Sequence, residues 1–285
     1  MAPEKNTPKT GQSGLTPKQL ADQARAESEA AERRRERTIR IVGGLVVLLV
    51  VGGLLAVGYI AGRDGGTDSS ASPPPTPDAN AALPSGVSGD NYGVPYGTGW
   101  TSPDEAKLPT LEIWEDFQCP ACAQVEAASG DGIQALADSG KVKLLYRPAT
   151  FLDASLAADN AANGNPNSSA RATSAWGCAV DAGKAGEFHS AVFDIQPADE
   201  GVGYSDQQLI DLGTTVGIAD ADLATYTTCV QEGTYLSWAA NSNQAFSEAG
   251  VGGTPTAYLN GVELNSADLA DLEGLTQKID AATAQ

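Results

Sequence analysis

The chain has 285 residues, of which 41% are hydrophobic, and its formal net charge is −19 at pH 7. Nine of its 17 basic residues lie in the first 40 positions, so the rest of the chain carries 8 basic against 30 acidic side chains. A surface this acidic excludes nucleic-acid binding by counterion release and excludes attraction to anionic lipid.

Residues 1–40 are rich in Ala, Glu, Gln and Arg and contain few large apolar side chains, so they cannot build a core. We predict a polar tail there. Residues 41–61 then form a stretch of 21 residues without a charge, long enough as a helix to cross a hydrocarbon layer of roughly 30 Å. This stretch predicts a single transmembrane anchor.

The flanks of the apolar stretch predict its orientation. RRRERTIR, at residues 33–40, carries five arginines against one glutamate, and the positive-inside rule then places the amino terminus in the cytoplasm. The predicted localisation is the cell membrane, with a single pass and an extracytoplasmic carboxyl-terminal domain. A cleaved signal peptide is the alternative, since Ala56-Val57-Gly58 resembles a cleavage site, but the long basic leader favours an uncleaved anchor.

Residues 62–91 lack apolar periodicity and contain the run PPPTP, which favours extended polyproline geometry. They predict a Pro/Gly/Ser-rich linker that holds a folded domain, residues 92–285, away from the membrane. No repeat of fixed period is visible in the sequence.

The folded domain begins with a strand–helix–strand pattern. LEIWEDF at residues 111–117 predicts a strand, residues 123–138 predict a helix interrupted at Gly130–Gly132, and KVKLLY at residues 141–146 predicts a second strand. The total length suits a parallel βαβ unit.

The remaining elements predict a helical insertion followed by a ββα unit. Helical patterns broken by glycines fill about 152–249, with Ser205 and Asp220 placed as helix starts. VGGTPTAYLNGVEL at residues 251–264 predicts a β-hairpin around Asn260-Gly261, and a last helix is predicted at 266–282. The fold class is therefore α/β, with a helical insertion between βαβ and ββα halves.

All four cysteines lie beyond the predicted anchor, where disulfides persist. A zinc site would need two closely spaced pairs or a pair with suitable histidines. Here Cys178 and Cys229 lie 51 positions apart and His189 is the single histidine of the sequence. We therefore expect no metal site.

Cys119 and Cys122 lie where the first strand runs into a helix. Pro120 between them suits the first helical turn, which places Cys119 at the helix amino terminus. Unpaired N–H groups and the helix dipole there lower a thiol pKa from about 8.5 into the range of roughly 3.5–7.5. Cys119 is thus the candidate nucleophile and Cys122, one turn further on, the candidate resolving cysteine. A static disulfide between them remains the structural alternative.

EDFQCPAC at residues 115–122, followed by GVGGTPTAYLNG at residues 250–261, resembles the DsbA-like thioredoxin-fold disulfide oxidoreductases. The similarity is greatest to the membrane-anchored branch of Gram-positive, actinobacterial type, and it covers about residues 108–285. The resemblance implies a thioredoxin fold carrying the helical insertion, preceded by the transmembrane helix. It also implies no cofactor other than a redox-active disulfide.

The resemblance further implies that Pro120, Ala121, Thr254 and Pro255 are neighbours in the active site. The Thr254–Pro255 bond is expected to be cis, a geometry that the sequence alone would not predict. Its loop is expected to pack against the cysteine pair, with the Thr254 hydroxyl near the sulfur atoms.

Cys178 and Cys229 each fall in a helical pattern, and we expect them to form a structural disulfide, as in the anchored relatives. Closing a loop of this length stabilises the fold by about 4 kcal/mol on the chain-entropy estimate. A second redox pair that passes electrons to the first is the alternative.

Two positions depart from the family pattern. Ala121 stands where many relatives have a histidine, and Ile113 stands where the family has a buried carboxylate. Glu112, Glu115 or Asp116 are possible substitutes as proton carriers, but we expect these carboxylates to be solvated at the surface.

His189 is expected to be an ordinary residue of an insertion helix, either packed or exposed. The tryptophans Trp114, Trp176 and Trp238 are expected to belong to the core or to line a groove.

The expected function is that of an enzyme that introduces disulfides into reduced secreted proteins, and the resemblance implies that the electrons then pass to a quinone-linked membrane reoxidase. A thiol reductase or isomerase would use the same residues. The alternative is a protein that is not an enzyme. It would be a tethered binding or chaperone module with a static disulfide, or a module whose thiol pair handles copper.

Overall fold

The structure is a computed structural model, and it describes residues 73–283. A five-stranded mixed sheet forms the centre of this part of the chain. The strands are β1 Val94–Tyr96, β2 Thr110–Glu115, β3 Lys143–Pro148, β4 Thr256–Leu259 and β5 Val262–Leu264. Their order across the sheet is β1-β3-β2-β4-β5. β2 pairs with β3 in parallel, and the other three pairings are antiparallel. β2 is therefore the central strand, with two strands on either side of it.

The predicted βαβ unit is present, with its elements shifted by a few residues. Between β2 and β3 the chain forms α1 Pro120–Val125, a π-helical turn Glu126–Gly130 and α2 Asp131–Asp138. The helix thus starts three residues earlier than predicted, directly after Cys119. The predicted interruption exists as the π turn, which inserts an extra residue into the helical ladder.

Seven helices separate β3 from β4 along the described chain. They are α3 Leu152–Ser155, α4 Ala157–Ala162, α5 Ser168–Asp181, α6 Ala185–Asp194, α7 Asp206–Thr215, α8 Asp220–Glu232 and α9 Leu236–Glu248. Ser205 caps α7 through a capping box with Gln208, which is why the chain turns helical at that point. Gly233 ends α8 in the left-handed conformation that glycine adopts without a steric cost.

The carboxyl-terminal half is a ββα unit. Asn260 and Gly261 both have positive φ, 50° and 78°, at the turn between β4 and β5, as a two-residue hairpin requires. The predicted last helix is divided at Asp271 into α10 Ser266–Ala270 and α11 Leu272–Thr283. The expected α/β fold with additional helices is therefore confirmed.

The core lies between the sheet and the helices around it. Leu111 and Ile113 on β2 are fully buried, and Tyr146 lies opposite Ile113 on β3. Trp176 on α5 and Trp238 on α9 join this core, as expected from the sequence. Trp114 faces the other side of β2 and packs on Phe246, 5.5 Å between ring centroids, because successive strand residues alternate between faces.

Residues 73–91, in the carboxyl-terminal part of the predicted linker, lie against the domain. The Asn241 side chain bonds both the backbone N–H and the carbonyl of Asp78, at 2.9 and 2.8 Å. Asp181 accepts hydrogen bonds from the backbone and hydroxyl of Ser85. The remainder of the linker, 62–72, lies outside the described residues.

Within residues 73–283, every helix is too short or too polar to cross a bilayer. The predicted tail at 1–40 and the predicted anchor at 41–61 lie outside this range.

Candidate active site

The loop after β2 places Cys119 at the start of α1. Cys119 is the N-cap residue with extended backbone geometry, and Pro120 occupies the first helical position. The carbonyl of Cys119 accepts the first helical hydrogen bonds, from the N–H groups of Cys122 and Ala123 at 3.1 and 3.2 Å. The Cys119 sulfur therefore lies beside the first N–H groups of the helix, and that of Ala121 has no partner within the helix.

The two cysteines are free thiols with different surroundings. Cys119 is 8% exposed and Cys122 is completely buried, while Pro120 and Ala121 between them are exposed. A partner molecule approaching over these two small residues therefore meets the sulfur of Cys119 first.

The surroundings shift the pKa values of the two thiols in opposite directions. The pKa of Cys119 is lowered to about 6, chiefly because the Cys122 thiol donates a hydrogen bond to its sulfur. The Thr254 side chain and the N–H groups of Ala121 and Cys122 lower it further, against the opposing effect of burial. Burial raises the pKa of Cys122 well above its ordinary value. At neutral pH the pair thus holds one thiolate and one thiol.

The loop before β4 closes the site from the other side. The Thr254–Pro255 peptide bond is cis, and the Cys119 sulfur lies 3.3 Å from the Thr254 carbonyl oxygen. The Thr254 hydroxyl is buried and has no hydrogen-bond partner, which leaves it available as a donor to the Cys119 thiolate. The structure thus brings Cys119, Cys122, Thr254 and Pro255 together.

Two side chains of the insertion hold the loop before Cys119 in place. The Gln196 amide donates to the carbonyls of Phe117 and Cys119, at 2.8 and 3.2 Å. The Tyr204 hydroxyl donates to the same Phe117 carbonyl at 2.6 Å. These residues were not among the sequence candidates, because nothing in their local patterns indicates which distant carbonyl they reach.

Asp116 fixes the loop from inside. It is fully buried and accepts hydrogen bonds from the backbone of Gln118 at 2.9 Å, the hydroxyl of Ser169 at 2.6 Å and the backbone of Leu152 at 3.2 Å. Burial raises its pKa to about 8. The expectation that Asp116 is solvated is wrong, because α3 and α5 of the insertion cover the loop and enclose its carboxylate.

Glu115 is also buried, so its expected solvation is likewise wrong. It follows Leu111 and Ile113 on the inward face of β2, and this alternation is the signal in the sequence that could have placed it in the core. Burial raises the pKa of Glu115 to about 8. Glu112 points to the opposite face, where it is half-buried and pairs with Arg147 at 3.2 Å.

His189 lies in the core rather than on the surface of its helix. It is 1% exposed, and its Nε2 lies 3.0 Å from the Glu115 carboxylate. Burial lowers its pKa, so the ring is neutral at pH 7. His189 therefore packs behind the cysteine pair, beside Glu115.

Cys178 and Cys229 lie apart from this site, in the insertion. A disulfide joins them between α5 and α8, with a Cα–Cα distance of 5.9 Å. The bond therefore links two helices of the insertion.

Comparison with known proteins places the fold. A family model described as thioredoxin matches residues 103–281. MdbA, a thiol-disulfide oxidoreductase from Actinomyces oris, is 22% identical over 76% of this chain and 100% of its own, with a TM-score of 0.57. BdbD from Bacillus subtilis is 20% identical over 72% of this chain and 100% of its own, with a TM-score of 0.53. No curated protein matches the sequence. The resemblance to DsbA-like proteins is thus confirmed at the level of the fold.

Proposed function

The chain belongs to the thioredoxin family, and from that premise we propose that it is a DsbA-like thiol-disulfide oxidoreductase that introduces disulfides into proteins outside the cytoplasm. The observation that carries the proposal is the asymmetry of the cysteine pair. The less buried sulfur, that of Cys119, has a pKa of about 6 and lies beside a fully buried thiol with a raised pKa, and both lie against the Thr254–Pro255 loop.

The first step begins from the oxidised pair. A substrate thiolate attacks the Cys119 sulfur, which is the more exposed of the two, and forms a mixed disulfide. The Cys119–Cys122 bond breaks and the electron pair goes to Cys122. Because burial raises the pKa of Cys122, this sulfur takes up a proton and remains a thiol.

The second step releases the product. A second substrate thiolate attacks the substrate sulfur of the mixed disulfide, and Cys119 leaves as a thiolate. A thiol of low pKa is the better leaving group, so the environment of Cys119 favours release. The substrate has lost two electrons, and the cysteine pair has gained them.

The low pKa of Cys119 also favours oxidation of substrate thiols over reduction of substrate disulfides. Stabilising the thiolate stabilises the reduced protein, which makes the disulfide form a stronger oxidant. Reoxidation then needs an external electron acceptor, for which we propose a quinone-linked partner in the membrane. The substrates we propose are reduced or unfolded secreted proteins.

The location is proposed from the sequence. The arginine-rich segment at 33–40 and the uncharged segment at 41–61 support a single-pass anchor with the domain outside the cytoplasm. Intact cells treated with a membrane-impermeant maleimide should show labelling of Cys119 after mild reduction. Labelling only after lysis would overturn the extracytoplasmic location.

Trapping tests the activity. The Cys122→Ala variant cannot form the internal disulfide, so oxidised glutathione is added to cells that express it and converts Cys119 into a mixed disulfide with glutathione. A thiolate of a secreted protein then attacks the Cys119 sulfur and expels glutathione as a thiolate. Cys122 is absent and cannot reverse this step, so covalent complexes with secreted proteins should accumulate. The double variant Cys119→Ala/Cys122→Ala is the matched control and should capture none. Capture of one dedicated reductant alone would favour a reductase, and no capture would favour a module with an inert pair.

A further inference from the structure

Two glutamates and a histidine from three separate elements meet behind the cysteine pair. Glu115 ends β2, Glu126 begins the π turn after α1, and His189 lies on α6. One ligand-capable atom from each lies within 4.8 Å of the others. All three side chains are at least 95% buried, with 5%, 5% and 2% exposure for Glu115, Glu126 and His189.

The polar atoms of this cluster are not satisfied by the surrounding protein. Oε1 of Glu115, both carboxyl oxygens of Glu126 and Nδ1 of His189 are buried and receive no hydrogen bond from a donor of the surrounding protein. The two carboxyl groups lie close enough to each other to share a proton. Among the ion pairs of residues 73–283, no lysine or arginine lies against either glutamate. Buried carboxyl groups are usually hydrogen-bonded, paired with a cation or bound to a metal, so this cluster lacks a positively charged partner.

The arrangement of the histidine matches that of a metal ligand. Its Nε2 lies within hydrogen-bond distance of Glu115, at 3.0 Å, and its Nδ1 faces Glu126, so each ring nitrogen is directed at one carboxyl group. With Nδ1 on a metal ion, Nε2–H would donate to Oε2 of Glu115, the pairing typical of metal-binding histidines. The other oxygen of Glu115, Oε1, has no partner and would be the ligand atom. Nδ1 lies 3.6 Å from Oε2 of Glu126, too far for a hydrogen bond. Two ligands of one tetrahedral Zn²⁺ lie about 3.4 Å apart at ordinary bond lengths.

We propose that Glu115, Glu126 and His189 form a binding site for a divalent cation of the zinc type. Imidazole together with carboxylates suits Zn²⁺ better than Mg²⁺ or Ca²⁺, which prefer oxygen ligands alone. Two carboxylates and one Zn²⁺ make a neutral unit, which removes the electrostatic cost of burying two like charges together. Residues 127 and 128, which follow Glu126 in the chain, are exposed.

This site goes beyond the proposed function and does not depend on it. The ligands are not cysteines, so binding requires neither the thiolate of Cys119 nor turnover. The expectation of no metal site rested on cysteine and histidine spacing. That spacing gives no signal here, because folding brings the ligands together from three distant segments.

The test is zinc binding by the full-length chain without a histidine tag, after chelator treatment. The Cys119–Cys122 disulfide is closed beforehand, so that no thiol competes for the metal. A chromophoric zinc indicator should report one tight site per chain. Glu126→Gln should weaken binding by about 10-fold to 100-fold or more, since losing even a supporting residue has that effect. Glu187→Gln, which changes an exposed acid on the same helix as His189, should bind as the wild type does.

Two further measurements keep the outcome decisive if Glu126→Gln does not fold. Zinc should raise the melting temperature of the wild-type chain, because it binds the folded state. Co²⁺ bound in place of Zn²⁺ should show no thiolate charge-transfer band. If the oxidised wild-type chain binds no zinc above the level of exposed acidic sites, the two carboxyls share a proton instead and the proposal is overturned. Equal binding by folded Glu126→Gln would also overturn it.

Discussion

The sulfur of Cys119 lies 3.3 Å from the carbonyl oxygen of Thr254, the residue that precedes the cis proline. These two residues are 135 positions apart in the sequence and come from the two halves of the fold. Their contact joins the start of α1 to the loop before β4, so the chemistry of the sulfur depends on both halves.

Replacing Thr254 by Val should raise the pKa of Cys119, because the Thr254 side chain contributes to lowering it. Valine keeps the branched shape and removes the hydroxyl. The rise should be smaller than that caused by removing Cys122, whose hydrogen bond is the largest cause. The pH dependence of alkylation of the reduced protein measures this pKa. Thr256→Val is the control, because that hydroxyl donates to Gly253. An equal effect of the two substitutions would contradict the assignment.

Replacing Cys122 should also raise the pKa of Cys119, by an amount that depends on the substituent. Cys122→Ala removes the main hydrogen-bond donor to the Cys119 sulfur, whereas Cys122→Ser supplies a hydroxyl at the same position. The alkylation midpoint of Cys119 should therefore be highest in the alanine variant and intermediate in the serine variant. Identical midpoints in wild type and Cys122→Ala would show that the helix amino terminus alone sets the acidity.

Replacing Asp116 by Asn should destabilise the domain by about 1–3 kcal/mol, because an amide group would face the N–H donors that the carboxyl now satisfies. The loss should appear as a lower urea midpoint. Asp211→Asn is the control, since Asp211 accepts an exposed hydrogen bond from Gln207, and its effect should stay within about 0.5 kcal/mol. Equal stability of the two variants would contradict the structural role assigned to the buried network.

Removing the disulfide of the insertion should affect stability and not redox chemistry. The double variant Cys178→Ala/Cys229→Ala should lose about 4 kcal/mol of unfolding free energy, since the bond closes a long loop. Equilibration of Cys119 and Cys122 with glutathione should give the wild-type midpoint. A shifted midpoint would instead support an electron relay between the two pairs.

The local sequence identified the cysteine pair and the hairpin after Pro255, because each carries its own pattern, whereas the role of the Thr254–Pro255 loop came from the family resemblance. Pro120 marks the helix start, and Asn260-Gly261 marks the hairpin that positions Pro255. The predicted βαβ order, the interruption before α2 and the helical character of the insertion follow equally from periodicity and glycine placement. Helix boundaries shifted by a few residues, since the hydrogen bonds that fix them are not encoded in the apolar pattern.

The polar residues behind the site could not be placed in the same way. A carboxylate such as Asp116 has a strong preference for solvent, and only the helices that cover it reverse this preference. Glu126 and His189 lie on elements whose packing is decided by the whole fold. The alternation of β2 alone gave a usable signal, because it put Glu115 on the same face as Ile113.

The most direct test of the account is the ionisation of Cys119 in the reduced full-length chain. Alkylation rates measured against pH, with mass spectrometry to confirm that Cys122 stays unmodified, should give a midpoint at about pH 6. The thiolate should already dominate at neutral pH. A midpoint near 8.5, the value of an unperturbed cysteine, would contradict the claim that this site activates the sulfur.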